Sequence, residues 1–168
     1  MEKKRTDIEL EKKLTSKSSA EVIRALEIIK DKGDESILPQ LFDLLSSAPE
    51  AIIESEIIDI LNNLKRKEAR SILTNALQNP DYANIRKIIT SACWQNGLDF
   101  APYFPVFVDL VINEPWDIGF EALTVIDAME NLPDPDLLSE ARAKTEMALK
   151  TADEQKSYLL HEILSKIR

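Results

Sequence analysis

The feature of this sequence that most restricts its fold is a hydrophobic pattern that returns about every 33 residues. Five-residue blocks with apolar or small residues at positions 1, 2, 4 and 5 begin at Ala25, Ile57, Ile88 and Ala122, at successive offsets of 32, 31 and 34 residues. Two apolar pairs separated by one residue lie on one face of an α-helix. The pattern therefore predicts one such helix in each of four repeats.

A second series of apolar segments lies between these blocks. Its matching residues are Leu38, Leu73, Phe104 and Leu138, at offsets of 35, 31 and 34 residues. Two interleaved series with a common period predict a helical hairpin that is repeated four times. Because each helix has only a narrow apolar stripe, neighbouring hairpins must stack to bury a continuous core.

Prolines and glycines fall at the ends of the predicted helices. Pro39 lies in the first turn of a second helix, where its missing N–H has no helical acceptor. Gly33 and Gly97 lie where first helices should end. We expect a short helix at 6–15, hairpins at 19–32/36–47, 50–64/67–78, 82–96/99–113 and 116–131/135–150, and a closing helix at 152–168.

Several of these marks resemble the HEAT repeat, a short helical hairpin that builds curved solenoids. They are Pro39 and Pro105 in second helices, the Asn79-Pro80-Asp81 turn, and the pairs Ile23-Arg24 and Ile85-Arg86 in first helices. The resemblance covers about residues 18–150. It implies one all-α domain over 1–168, a right-handed α-α superhelix (solenoid) of about four HEAT-like hairpins with terminal capping helices.

One departure limits what the resemblance implies, and one neighbouring repeat family is an alternative. The first helices of the second and fourth hairpins lack the arginine, so a regular Asp–Arg ladder between repeats is not expected there. The Trp, Gly and Tyr spacing of tetratricopeptide repeats, which have a similar period, is also absent.

Composition narrows the class of protein further. Hydrophobic residues make up 44% and charged residues 30% of the 168 residues, as in globular chains. Three glycines are few for β-rich or nucleotide-binding folds, which use glycine in turns and phosphate loops. A single cysteine permits no internal disulfide, and no apolar run reaches the roughly 20 residues that span a bilayer. We expect a cytoplasmic protein with no membrane segment.

Residues capable of catalysis are sparse and dispersed. The one histidine, His161, lies at the edge of an apolar stripe, and Cys93 follows Ile89 by one helical turn, as a buried thiol would. No serine-nucleophile, zinc-protease or phosphate-loop motif occurs. Carboxylates spaced i, i+4 could hold Ca²⁺ or Mg²⁺ or act as acid and base, but such pairs also occur on solvated helices; they are Glu50/Glu54, Asp117/Glu121 and Asp136/Glu140. We therefore expect no enzyme, no catalytic residue, no metal site and no cofactor.

A cluster of basic residues, Lys65, Arg66, Lys67 and Arg70, could contact phosphate. It also follows a predicted helix, where cations complement the carbonyl dipole. Some DNA glycosylases are built of HEAT-like repeats, but they need a basic groove. The net charge of −9 argues against nucleic-acid binding.

The acidic and aromatic composition of the third and fourth repeats is the strongest functional signal. Residues 98–141 contain 10 acidic and no basic side chains, together with several aromatics. Carboxylates around aromatic side chains suit a partner segment that carries Lys or Arg beside an apolar anchor. The candidate residues are Tyr103, Val106 and Asp109 on the outer side of a second helix, and Glu114, Trp116, Asp117 and Glu121 at the start of the next hairpin.

The sequence thus predicts a non-enzymatic protein–protein interaction scaffold that binds a basic and apolar partner segment through this acidic, aromatic region. One alternative is that the aromatics all belong to the core and the carboxylates only confer solubility. Others are a HEAT-like nucleic-acid-binding or DNA-repair-type module, and an enzyme accessory or chaperone-like subunit.

Overall fold

The computed structural model describes residues 2–131 and 133–167, with side chains from Ile8 onwards. This part of the chain forms ten α-helices and no β-strand. The helices are α1 Glu2–Leu14, α2 Ser19–Lys32, α3 Leu38–Ser46, α4 Ala51–Asn62, α5 Ala69–Gln78, α6 Arg86–Gln95, α7 Phe104–Asn113, α8 Trp116–Asp127, α9 Pro135–Leu149 and α10 Glu154–Lys166. The chain divides into two compact units, Met1–Ile85 with α1–α5 and Arg86–Arg168 with α6–α10.

The expected all-α class is confirmed, and each expected helix is present. Four boundaries differ by about one turn or slightly more, and one of them is the start of α7, which begins at Phe104 rather than near residue 99. Helix α1 begins at Glu2, and α6 begins at Arg86 because Pro80–Ile85 forms a 3-10 segment before it. Helix α8 ends at Asp127 rather than near residue 131, through a tightened turn in which the Met129 amide donates to the Ile126 carbonyl oxygen, 3.3 Å away. Residue 168, the expected end of the last helix, lies outside the described residues.

Two second helices begin in the same way. A 3-10 turn, Glu35–Ile37 or Ala101–Tyr103, leads into α3 or α7, and the proline is then the second helical residue. At that position the proline nitrogen needs no hydrogen-bond partner, because the first N–H groups of an α-helix have no helical acceptor. The prediction that Pro39 lies in a first turn is confirmed, and Pro105 repeats it.

In the first unit, each helix contacts the helix two positions along. Helix α2 lies beside α4, and α3 lies beside α5. The Ser19 hydroxyl donates to a Glu50 carboxylate oxygen over 2.6 Å at one end of the α2–α4 contact. Lys30 pairs with Asp59 at the other end, so the two helices run in the same direction. The side chains fully buried in this unit include Leu26, Leu38, Leu41, Phe42, Ile57 and Leu73.

The second unit has the same next-but-one contacts. Helix α6 lies beside α8, α7 beside α9, and α8 beside α10. The residues expected in the core of α7, Phe104, Phe107 and Val111, are buried. Cys93 is also buried, and burial raises the pKa of its thiol well above the usual range, so the thiol is a core group with little thiolate.

Helix α10 closes the second unit by packing on α7, α8 and α9. Its expected apolar stripe is buried at Leu160, Ile163 and Ile167, and half-buried at Leu164. The Lys156 ammonium donates to the carbonyl oxygens of Val111, over 2.7 Å, and of Glu114. Burial lowers the pKa of Lys156, but the ammonium lies at the carbonyl end of α7, where a cation is stabilised. Lys156 therefore attaches the start of α10 to the end of α7.

Candidate functional site

Three exposed aromatic rings meet on the surface of the second unit. Trp116 and Phe120 stand one turn apart on α8, with ring centroids 6.0 Å apart and planes inclined by 28°. The ring of Tyr158 on α10 also lies near Trp116, with a centroid distance of 6.2 Å. The three residues are 38%, 48% and 56% exposed. We call this group the aromatic cluster; large apolar side chains grouped in this way on a surface are typical of interaction sites.

A row of carboxylates lies next to the aromatic cluster on α8. Asp117 and Glu121 each follow an aromatic residue by one position, so they form a parallel row on the side of α8 that faces α6. Lys87 of α6 lies 3.3 Å from an Asp117 carboxylate oxygen. The indole N–H of Trp94, also on α6, donates to a Glu121 oxygen over 2.7 Å. Both carboxylates are thus oriented by α6.

These two carboxylates have different electrostatic surroundings. The Lys87 ammonium balances Asp117 and lowers the pKa of that carboxyl below its usual value. Glu121 has a neutral donor, and among the described residues no Lys or Arg forms an ion pair with it. Glu121 therefore contributes an unbalanced negative charge between the exposed Trp94 and the aromatic cluster.

Glu114, another predicted site residue, is structural in its contacts. Its carboxylate lies 2.5 Å from an Arg86 guanidinium nitrogen, and the two side chains are only 20% and 14% exposed. Its backbone carbonyl oxygen accepts from Lys156. Glu114 thus joins α6 to the α7–α8 connection and presents little charge to solvent.

The predicted residues on α7 meet different neighbours. Val106 and Asp109 on α7, and Tyr103 in the 3-10 turn before it, are all half-buried. The Tyr103 ring packs edge-on against the Phe100 ring, with centroids 6.4 Å apart. A carboxylate oxygen of Asp109 lies 3.3 Å from the ammonium of Lys144 on α9. The structure therefore separates the predicted site into an α7 group beside α9 and an α8 group beside α6 and α10.

Residues 98–141, the acidic segment, have many carboxylates that contact cations from outside the segment. Lys144 lies within ion-pair distance of Asp109 and Glu140, and Lys166 lies 2.6 Å from Asp127. Exposed pairs of this kind are worth little energetically, but they reduce the local excess of negative charge. In the folded protein, the excess negative charge of the acidic segment is therefore smaller than its sequence indicates. Glu121 is a clear exception, because no cation in the described part of the chain balances it.

Sequence reasoning missed three members of this surface. Phe120 lies within residues 98–141 but was not among the candidate binding residues, and Trp94 and Tyr158 lie outside that segment. A signal for Tyr158 was available, because the residue falls off the apolar stripe of its helix, where an aromatic side chain has no core to enter. No comparable signal identified Trp94, whose indole partner is 27 residues away in sequence.

The other candidates lie elsewhere. His161 is exposed, as expected. In the basic cluster, Arg66 lies 3.4 Å from Glu35, and the side chain of Arg70 donates to the carbonyl oxygen of Lys67. Within residues 2–131 and 133–167, no group of three potential metal-binding side chains is placed to hold an ion. In the same part of the chain, no helix combines the length and apolarity that crossing a bilayer requires.

A cavity of about 510 Å³ lies in the first unit beside α1 and α3. The Gln40 amide donates to Glu11 over 3.0 Å, and the Tyr82 hydroxyl donates to Asp43 over 2.6 Å. These bonds attach α1 and the Pro80–Ile85 segment to α3, so both carboxylates at this cavity have a structural role.

Comparison with known proteins adds no assignment. The chain matches no protein-family model, and no curated protein sequence matches it significantly.

Proposed function

We propose that this protein is a non-enzymatic, protein-binding module built from HEAT-like helical hairpins. The surface that binds the partner would be the exposed face of α8, formed by the aromatic cluster with Asp117 and Glu121. The partner segment would carry a basic residue and an apolar anchor.

The hairpin architecture is supported by contacts between residues about one repeat apart. In the first unit, Ser19 contacts Glu50, and Lys30 pairs with Asp59. In the second unit, Lys87 pairs with Asp117, and Trp94 donates to Glu121. These partners are 27 to 31 residues apart and join first helices that run in the same direction, as expected for stacked hairpins.

The observation that carries the binding proposal is the exposure of Trp116, Phe120 and Tyr158 in one contiguous group. Burying such rings against a partner would contribute a favourable free energy of about 25 cal/mol for each Å² of apolar surface that is removed from water. Tryptophan and tyrosine also dominate the binding energy of known interfaces. The same region offers little to nucleic acid, since Asp117 and Glu121 would repel a phosphate backbone.

A display library of random heptapeptides tests this proposal directly. The full chain and its Phe120→Asp variant are immobilised in parallel, and peptides enriched on the first are counter-selected on the second. We expect the remaining peptides to contain Lys or Arg near a large apolar residue. Equal enrichment on both proteins would reject the aromatic cluster as the binding site.

Charge reversal provides a second test on the selected peptides. Asp117→Lys with Glu121→Lys should weaken their binding, and binding by the unchanged protein should weaken as salt rises, because the attraction is screened. Affinity that is unaffected by both changes would exclude an acidic binding surface.

A further inference from the structure

We infer that the preferred occupant of this surface is an arginine side chain, held between the Glu121 carboxylate and the neighbouring aromatic faces. The inference rests on the proposed function, since it names the chemistry of the partner residue at the same surface. It follows from the different partners of Asp117 and Glu121 and from the spacing of the rings.

The first step identifies which carboxylate on α8 has no cationic partner among the described residues. Asp117 and Glu121 are one turn apart on α8, but only Asp117 has a cationic partner, Lys87. Glu121 is fixed by the Trp94 indole, a neutral donor that satisfies one oxygen, Oε2, and leaves further acceptor positions. A cation supplied by a partner is therefore favoured at Glu121 more than at Asp117.

The second step concerns the surroundings of Glu121. Trp94, which binds it, is 38% exposed, and Phe120, which precedes it, is 48% exposed. A cation bound at Glu121 would lie near an exposed aromatic side chain of α6, Trp94, and one of α8, Phe120. Cations are attracted to the faces of such rings within about 6 Å of the centroid.

The third step separates arginine from other cations. The Trp116 and Phe120 rings are nearly parallel with centroids 6.0 Å apart, so they contact each other and leave no slot that could enclose an ammonium group. A methylated lysine, which needs several rings around it, would find an open surface here. A guanidinium is planar, so it can lie flat on one exposed ring while its edge donates two hydrogen bonds to a carboxylate.

The indole N–H groups of Trp94 and Trp116 provide the readout, because they are the only two in the chain. Nitrogen–proton NMR spectra of the full chain are recorded with Ac-Ala-Leu-Arg-Leu-Ala-NH2 and with matched peptides that contain Lys or trimethyl-lysine. We expect both indole signals to shift, with a dissociation constant for the Arg peptide about tenfold below that for the Lys peptide.

Two matched variants locate the contact. Glu121→Gln keeps an acceptor for the Trp94 indole but removes the charge, and it should weaken binding of the Arg peptide about tenfold. Asp127→Asn, at the other end of α8 and outside the proposed surface, removes a charge that Lys166 already balances, and it should change the affinity by less than about twofold. Circular dichroism of both variants should match that of the unchanged protein.

The outcomes separate this inference from the proposed function. Equal binding of Arg and Lys peptides, tighter binding of trimethyl-lysine, or equal losses in the two variants would overturn the arginine assignment and leave a protein-binding surface. If no peptide shifts either indole, both fail. If the signals instead shift with protein concentration alone, a second copy of the chain occupies the surface, and the arginine assignment also fails.

Discussion

Replacement of Glu114 by glutamine should reduce the stability of the second unit rather than its capacity to bind a partner. Glu114 was predicted as a binding residue because it lies in the acidic segment. Its carboxylate is instead held 2.5 Å from the Arg86 guanidinium, with four-fifths or more of each side chain buried. Glutamine keeps the shape of the side chain and removes the negative charge opposite the Arg86 guanidinium.

The size of the effect follows from this burial. A hydrogen bond between two charged groups contributes about 1.5–3 kcal/mol, and glutamine leaves only a neutral acceptor in place of the carboxylate. Allowing for the remaining solvent exposure, we expect Glu114→Gln to lower the free energy of unfolding by about 2 kcal/mol. The matched control is Asp117→Asn, which breaks the pair with Lys87 where both side chains are about half exposed. That pair should contribute far less, because water screens it.

Urea unfolding followed by tryptophan fluorescence is the appropriate assay, because both tryptophans, Trp94 and Trp116, belong to the second unit. The Glu114 variant should unfold at a clearly lower urea concentration with an unchanged slope. If Glu114→Gln and Asp117→Asn shift the midpoint equally, burial does not distinguish the two pairs, and the reasoning is wrong. Peptide binding by the folded Glu114 variant should be unchanged.

Three further changes test the fold. Leu38→Asp places a carboxylate at a site that is 1% exposed and should abolish most of the helical circular-dichroism signal of the first unit; a fully helical spectrum would refute the core assignment. Tyr82→Phe removes the hydrogen bond to Asp43 and should cost about 1–2 kcal/mol at neutral pH. Because this bond raises the pKa of Tyr82 to about 12 from 10.0, its contribution is complete below pH 10 and is lost toward pH 12, so the unfolding curves of the two proteins should converge there. Gly97→Ala should cost about 1 kcal/mol in urea unfolding, because Gly97 has a φ of +72° that an alanine adopts only with strain; an unchanged midpoint would contradict that conformation.

The helices and the core could be predicted because both depend on local patterns. The repeat of apolar pairs placed Phe104, Phe107 and Val111 in the core, and all three are buried. Pro39 and Pro105 marked the start of second helices, since proline is tolerated only in a first turn. The solenoid arrangement of all four hairpins stays a prediction.

The binding surface could be predicted only in part. Sequence reasoning treated Glu114, Asp117 and Glu121 as three equivalent carboxylates in a segment without cations. Their partners, Arg86, Lys87 and Trp94, are 27 to 30 residues earlier in sequence, and periodicity does not say which side chain of one helix meets which of the next.

What the sequence determined by itself is the set of helices, their order and the side of each that is buried, since helical periodicity and chain-breaking residues act over a few positions. Only the tertiary structure decided which charges remain unbalanced and which aromatic rings meet. Packing of α6 and α10 against α8 gave Glu114 and Asp117 cationic partners, left Glu121 with a neutral one, and brought Tyr158 against Trp116. The reason is physical: the strength of a charge depends on distances and solvent exposure, which are set by helices far apart in the chain.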